Sequence, residues 1–153
     1  MKSRVVTSPE EICSIIGKCQ VCHVGMADSG GNPYVLPMNF GFDGQTVYLH
    51  SSRNGKKIEL LQNNPSVCIA FSTDHLLRFQ SEEMACSYSM RYRSVLAFGK
   101  VEFIEDEKQK RKILSIIMKN YSPKEFIFNA PSVREVCCWQ VSVEKFDCRV
   151  YGY

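Results

Sequence analysis

The chain has 153 residues, enough for one domain with a single substantial core. Hydrophobic residues make up 44% and charged residues 23%, a composition typical of soluble globular proteins. The net charge of +3 is too small to indicate a nucleic-acid partner, and no apolar run approaches the roughly 20 residues that cross a bilayer.

The start of the chain predicts no secretory signal. Lys2 and Arg4 are basic, but the polar run at 8–11 follows where a signal peptide has its apolar segment. We therefore expect a single domain, residues 1–153, in the cytoplasm, where cysteines stay reduced. Seven cysteines in strand-like patterns are expected to pack as small hydrophobes: Cys19, Cys22, Cys68, Cys86, Cys137, Cys138 and Cys148.

The first predicted element is a helix that begins after Ser8. Ser8 suits the N-cap, Pro9 suits the first helical position, and Gly17 suits the end. Asp43-Gly44 favours a tight hairpin within the strand-rich segment that follows. Pro37 lies inside a predicted strand, and because proline cannot donate a ladder hydrogen bond, we expect an edge or a bulge there. The three strands predicted in this segment are 20–27, 34–42 and 45–51.

The second half of the chain continues the antiparallel pattern. We predict a helix at 54–64, a strand at 66–72, a loop at 74–84, a long β tract at 86–104, a helix at 106–119, and strands at 136–143 and 146–153. Hairpins dominate and helices serve as lids, which indicates a mainly-β α+β domain built as a closed or split antiparallel barrel. The regular strand–helix alternation of a doubly wound parallel sheet is absent.

The motif Cys19-x-x-Cys22-His23 matches the attachment pattern of c-type haem and contains a C-x-x-C redox pattern. Haem attachment requires export, and a redox pair usually opens a helix, whereas this motif lies in a strand-like run. We therefore interpret both cysteines as packing residues. Because no second cysteine or histidine pair has zinc-finger spacing, we expect no structural metal.

The segment 48–58 carries the strongest chemical signal. The sequence has neither a P-loop nor a Rossmann glycine motif. Here, however, a strand ends in hydroxyls, a glycine and three cations before a helix starts, and such groups suit a phosphate. From the residues alone, the segment is either an anion site or a solvated basic loop. The candidate anion ligands are Ser51, Ser52, Arg53, Lys56 and Lys57.

The tract 86–95 alternates tyrosine and methionine with serine and arginine. Such a strand can simply turn a polar face to solvent. It can also form a subunit interface or a wall over a planar ligand.

Several segments in fixed order resemble the nitroimidazole-resistance (Nim) proteins, members of the pyridoxamine 5′-phosphate oxidase-like FMN-binding split barrels. They are residues 33–42, 48–51, 55–60, 64–68 and 92–95 with Gly99. The resemblance implies a six-stranded antiparallel split β-barrel with flanking helices. It also implies a homodimer with FMN at the subunit interface.

The resemblance further implies roles for individual residues. The strand at Leu36, Pro37, Met38 and Asn39 would follow the isoalloxazine ring, and Asn39 could bond a pyrimidine edge in both directions. Ser51, Ser52, Lys56 and Lys57 would hold the phosphate, with Arg53 assisting. The partner subunit would close the site with Tyr88, Tyr92, Ser94 and Trp139. His50 is the candidate catalytic residue.

The activity that the resemblance implies is an FMN-dependent oxidoreductase. Such an enzyme takes two electrons from NAD(P)H or another donor and passes them to a small organic substrate, including nitro groups. Two alternatives stay open, because fold does not determine function. One is a flavin carrier, store or sensor without turnover. The other is a binder of haem or deazaflavin, in which His50 or His23 would ligate the haem iron.

Overall fold

The computed structural model describes residues 2–153, so Met1 of the predicted domain lies outside the described residues. The strands are β1 (Ser3–Val6), β2 (Cys22–Ala27), β3 (Pro33–Met38), β4 (Gly41–Phe42), β5 (Thr46–Ser51), β6 (Ser66–Arg78), β7 (Ser89–Ile104) and β8 (Cys137–Tyr151). The helices are α1 (Pro9–Gly17), α2 (Lys56–Asn63), α3 (Glu107–Lys119) and α4 (Ala130–Glu135). A single 3-10 turn covers Ala85–Ser87.

All eight strands form one antiparallel sheet in the order β3-β2-β6-β7-β8-β5-β4, and β1 pairs with β8. The outer edges of β3 and β4 pair with no other described strand, yet only Asn39 and Phe40 separate these two strands in the chain. The sheet therefore curls until its free edges approach each other. This confirms the split barrel, in which β1 and β4 are short additions to six longer strands.

Local signals placed α1 and the hairpin before β5 correctly. Ser8 Oγ accepts a hydrogen bond from the Glu11 N–H at 3.3 Å, which caps α1 as predicted. The Asp43 carboxylate accepts from the Gln45 and Thr46 N–H groups, which closes the predicted hairpin before β5. Pro37 lies in an edge strand, as its missing N–H requires. The predicted strand 34–42 was wrong, because the chain leaves the sheet at Asn39 and Phe40 and forms two strands, β3 and β4, at opposite ends of the sheet order.

Three predictions about the later strands were wrong. The predicted loop at 74–84 begins as strand, because Asp74, with φ 54°, forms a bulge after which β6 resumes pairing as far as Arg78. The two predicted closing strands are one strand, β8, with an irregularity opposite Phe98 and Gly99. The tract predicted to start at Cys86 starts at Ser89, and neither β1 nor α4 was predicted.

Two apolar clusters hold the fold. The larger fills the barrel, where Phe40 and Phe71 meet edge to face with ring centres 4.9 Å apart. The smaller lies between α3 and the outer face of the sheet and includes Ile113 and Cys138. A Cβ at Gly41 would lie 2.8 Å from the Ile117 backbone nitrogen, so glycine lets α3 rest directly on β4.

Most cysteines pack as predicted, and all eight are free thiols. Cys22 is fully buried with its Sγ donating to the Met38 carbonyl, and burial raises its pKa to about 12. Cys86 is the exception, because it lies exposed in the 3-10 turn rather than in a strand. No helix within residues 2–153 has the length and apolar character needed to cross a bilayer.

Candidate functional site

The turn from Ser51 to Lys57 joins the end of β5 to the start of α2. Ser52 Oγ donates to the Asn54 carbonyl at 3.0 Å, which fixes the shape of the turn. No side chain caps α2, although side chains cap α1, α3 and α4. The N–H groups of Ile58 and Glu59 bond the Gly55 carbonyl, but those of Lys56 and Lys57 remain available. Together with the positive end of the helix dipole they favour an anion.

Gly55 is the N-cap of α2 and has φ 118° and ψ 169°, a conformation that side chains strongly disfavour. No atom lies within 4 Å of the position where a Cβ would stand. The backbone at this point is therefore open to close approach by a ligand.

Two lysines supply positive charge at the same turn. Lys56 is exposed, and its Nζ lies 4.9 Å from the centre of the Tyr34 ring of β3. Lys57 is half-buried. Neither lysine forms an ion pair with another described residue, although the Asp28 carboxylate lies near enough to interact with the charge of Lys56.

Arg53 has a different environment from the lysines. Its Nε donates to the Arg134 carbonyl at 3.0 Å, and its Nη1 lies 3.3 Å from the Glu105 carboxylate. The guanidinium therefore ties the turn to the C-terminal end of α4. Among the other predicted anion ligands, Lys56 and Lys57 have side chains that bond no other described residue, whereas the hydroxyls of Ser51 and Ser52 donate to the carbonyls of Ser52 and Asn54 at 2.9 and 3.0 Å.

The predicted ring-binding strand is the edge strand β3. It pairs with β2 on one side only, so backbone groups along its other edge are free to bond a ligand. Leu36 is half-buried, Pro37 and Asn39 are exposed, and Met38 is buried in the barrel core. The contact between Lys56 and Tyr34 brings this edge close to the turn from Ser51 to Lys57.

His50 lies one residue before the turn, opposite Cys138 of β8. Its Nδ1 is buried and has no hydrogen-bond partner among the described residues. Burial lowers the pKa of His50, so the imidazole is neutral at pH 7. A neutral imidazole with an unpaired ring nitrogen can accept or donate a proton, depending on its tautomer.

A cleft of about 430 Å³ opens beside His50. Ser51 and Ser52 form one wall, and Ser132 and Glu135 of α4 belong to the lining as well. Sequence reasoning missed these two residues because it missed α4. The signal was present: Asn129 caps this helix by accepting from the Ser132 N–H at 2.9 Å, and Pro131 stands in its first turn.

A buried lysine fixes α4 in place. Lys110 of α3 is 1% exposed, and its Nζ donates to the Val136 carbonyl at 2.9 Å and to the Val133 carbonyl at 3.4 Å. A cation suits this position because the C-terminal end of a helix carries partial negative charge. The wall of the His50 cleft thus depends on a side chain from another helix.

Comparison with known proteins gives the family. Residues 8–143 match the family of pyridoxamine 5′-phosphate oxidase. The chain belongs to this family. A candidate 5-nitroimidazole antibiotic resistance protein from Bacteroides thetaiotaomicron is 48% identical, with a TM-score of 0.87 over 97% of this chain and 87% of that chain.

Two further solved structures extend the comparison. The flavocytochrome Anf3 from Azotobacter vinelandii is 25% identical, with a TM-score of 0.80 over 99% of this chain and 70% of that chain. A FAD- and heme-binding protein from Mycobacterium smegmatis is 18% identical, with a TM-score of 0.84 over 100% and 75%, and shares the fold. No curated protein sequence matches the chain.

In this member of the pyridoxamine 5′-phosphate oxidase family, the remaining predicted ligands lie away from the turn. Tyr92 stands opposite Tyr151 at one end of β8, whereas His50 stands opposite Cys138 at the other end. Roughly 40 Å of strand separates the two positions. Within one chain, therefore, Tyr92 does not share a site with the turn, and the same holds for its neighbours Tyr88 and Ser94.

Trp139 lies neither at the turn nor beside Tyr92. It is fully buried in the barrel core, 6.5 Å from Phe103 between ring centres, and its Nε1 has no hydrogen-bond partner among the described residues. The sequence identified it only through resemblance. In the single chain its ring packs as a core residue.

Proposed function

We propose that the protein binds FMN and uses it to pass electrons to a small oxidised substrate, with nitro compounds as the leading class. The observation that carries this proposal is the uncapped start of α2, flanked by two unpaired lysines, next to the free edge of β3. The relative from Bacteroides thetaiotaomicron, a candidate nitroimidazole resistance protein, supports the substrate class.

The residues present fit a flavin mononucleotide. The N–H groups of Lys56 and Lys57 would bond the phosphate, and their side chains would balance its charge. The hydroxyls of Ser51 and Ser52 would join them by rotating away from the carbonyls of Ser52 and Asn54. The free edge of β3, from Leu36 to Asn39, would bond the ring system through the backbone. When bound, the flavin would supply the two-electron chemistry that no side chain here provides.

His50 is the residue that we assign to proton handling. It stands beside the proposed phosphate site, lines the cleft, and is neutral at pH 7 because burial lowers its pKa. Because Nδ1 is buried, we propose that the other ring nitrogen, Nε2, holds or releases the proton toward a substrate in the cleft. Glu135 on α4 places a carboxylate in the lining of the same cleft.

A second copy of the chain completes the proposed site. Tyr92 and Ser94 lie too far from the turn to join it within one chain, so we propose that a homodimer brings them there from the partner. Leu77 and Met90 are 52% and 43% exposed and stand opposite each other on one face of the β6–β7 hairpin. Such an exposed apolar pair suits a subunit contact.

The binding experiment is a titration of the purified protein with FMN, followed by the visible spectrum of the bound flavin. We expect micromolar or tighter binding. Lys56→Ala and Lys57→Ala should each weaken binding roughly tenfold or more, because hydrogen bonds to charged groups contribute about 1.5–3 kcal/mol. Lys100→Ala, at an exposed position on β7, is the matched control. Absence of FMN binding by the wild-type protein would refute the proposal.

The turnover experiment separates the enzyme from a flavin carrier. NAD(P)H should bleach the bound FMN, and a nitroimidazole should restore its colour. His50→Gln should keep FMN binding but slow the second step. Binding without reduction by any donor favours a carrier or sensor, and a Soret band in the purified protein favours haem over FMN.

A further inference from the structure

The β6–β7 hairpin continues beyond the bulge at Asp74 as an arm, residues 76–91. A cavity of about 460 Å³, here called the arm pocket, lies on this arm next to the end of β8. Its lining includes Arg78, Phe79, Ser87, Tyr88, Arg91 and Tyr151. The volume falls within the range of small-ligand pockets.

Two arginines give the arm pocket its charge. Arg78 stands opposite Ser89, and Arg91 stands opposite Leu76, so the two arginines are diagonal neighbours on the same face of the hairpin. Neither makes an ion pair with any described residue, whereas nearby Arg93 binds the Asp74 carboxylate at 2.5 Å. Two adjacent cations without a counter-charge favour an anionic ligand.

Arg91 shows the clearest sign of a missing partner. Its Nε is buried and has no hydrogen-bond partner among residues 2–153. The guanidinium lies 5.5 Å from the centre of the Tyr153 ring, which helps to hold it in place. Because Nε has almost no accessible surface, an anion in the pocket would bond the guanidinium through its outer nitrogens, which are not among the buried unpaired atoms.

An aromatic surface stands beside the arginines. The rings of Phe79 and Tyr88 stack with centres 4.8 Å apart and planes at 22°, and their residues are 45% and 39% exposed. The Tyr88 hydroxyl donates to the Glu82 carbonyl at 3.1 Å, which fixes its ring. A preformed and partly exposed ring pair offers a face on which a planar group can stack.

The loop behind the aromatic pair is also ordered. Ser87 Oγ accepts from the N–H groups of Gln80 and Ser81, both at 3.3 Å, and donates to the Ser81 carbonyl at 2.9 Å. One hydroxyl thus joins the two sides of the arm tip. Because this segment is already held in place, ligand binding does not have to order it, and the entropic cost of binding is lower.

We propose that the arm pocket binds a nucleotide, with its phosphates on Arg78 and Arg91 and its base against the Phe79–Tyr88 pair. A nucleotide fits because it carries both phosphates and a planar base. A simple anion would leave the Phe79–Tyr88 rings uncovered, and a neutral planar ligand would leave the arginines unpaired. Leu77 and Met90 point to the opposite face of the hairpin, so the proposed subunit contact leaves this face free.

The nucleotide site is separate from the proposed flavin site. Tyr151 lines the arm pocket, whereas Cys137 at the other end of β8 stands opposite Ser51. Occupancy of one site by FMN therefore does not fill the other within the same chain. The inference consequently does not depend on whether FMN binds at the turn.

The experiment is a calorimetric titration of the full chain with ADP, once without FMN and once with saturating FMN. We expect ADP to bind in both cases, with pyrophosphate and adenosine each binding roughly tenfold or more weakly. Arg78→Gln and Arg91→Gln should each lower the affinity for ADP roughly tenfold. Arg149→Gln, an exposed arginine of β8 outside the pocket, should leave it unchanged.

The possible outcomes are distinct. Absence of ADP binding, or equal loss in Arg149→Gln, overturns the nucleotide site. If Arg91→Gln weakens FMN binding instead of ADP binding, the pocket belongs to the flavin site of the partner and the inference is wrong. Arg78 is exposed, so Arg78→Gln tests the site even if Arg91→Gln does not fold. Failure of FMN binding alone affects only the proposed function.

Discussion

Lys56 Nζ lies 4.9 Å from the centre of the Tyr34 ring, and this contact links the first turn of α2 to edge strand β3. The two segments are far apart in the sequence, and no strand pairing joins them. A double-mutant cycle with Lys56→Met and Tyr34→Leu, measured by urea unfolding, should give a coupling of about 0.5–1 kcal/mol. The cycle of Lys57→Met with Tyr34→Leu should give none, because Lys57 makes no such contact. Equal coupling in both cycles would argue against the interaction.

Gly55→Ala should lower the stability of the protein. A residue with a Cβ at φ 118° costs of order 1–3 kcal/mol, so the free energy of unfolding should fall by that amount. Gly17→Ala at the end of α1 is the matched control, since no atom lies within 4 Å of its Cβ position. It should be neutral or slightly stabilising, because alanine favours helix over glycine. Urea unfolding of the two variants checks both expectations.

Lys110→Met should loosen α4 more than it affects the rest of the barrel. The change removes two hydrogen bonds from a charged donor to the carbonyls of Val133 and Val136, so we expect destabilisation of roughly 1–3 kcal/mol. Amide hydrogen exchange should become faster in α4 while the barrel strands stay protected. Lys108→Met, at an exposed position of the same helix, should change stability by less than about 0.5 kcal/mol. Unchanged exchange in α4 would show that Lys110 does not hold this helix.

His50 should make the protein less stable as the pH falls below about 6.5. Burial lowers the pKa of His50 in the folded state, so near and below the ordinary value of 6.5 the unfolded chain binds more protons. The contribution of His50 to the free energy of unfolding is therefore fully present above that pH, and it declines as the pH falls toward the pKa of the folded state. Melting temperatures from pH 5 to 8 should show this slope in the wild type and a shallower slope in His50→Gln. His75→Gln, at an exposed position, is the control and should keep the wild-type slope.

Thiol labelling should distinguish packing cysteines from reactive ones. At pH 8 iodoacetamide should modify Cys86 first, because it is exposed, and should spare Cys22, whose pKa burial raises to about 12. The thiolate is the nucleophile, so a buried protonated thiol reacts slowly. Peptide mass spectrometry after brief labelling gives the order of modification. Early labelling of Cys22 would revive the redox interpretation of the motif at 19–23.

Contiguous signals made much of the fold and the turn predictable from sequence. Ser8 and Pro9 start α1, Asp43 closes its hairpin, and the serines and lysines between 51 and 57 follow one another in the chain. Each of these features depends on neighbours only a few residues away. Pro37 likewise revealed an edge strand through its own missing N–H.

The features that sequence reasoning missed depend on distant contacts. Asp74 usually signals a turn, but here it forms a bulge whose carboxylate bonds Lys18 and Arg93, so the strand continues past it. Arg53 looked like an anion ligand, yet Glu105 and the Arg134 carbonyl bind it. The six-residue helix α4 is held by Lys110, and its place beside His50 follows from no local pattern.

The two-residue connection between β3 and β4 has a consequence for how ligands can enter. Met38 and Gly41 are three peptide steps apart, so covalent geometry limits their separation to about 11 Å. The length of the chain therefore limits the gap between β3 and β4 at this end of the barrel. Motions of the sheet cannot widen the gap beyond that limit. A ligand that bonds the free edge of β3 therefore has to bind on the outside of the barrel at this end.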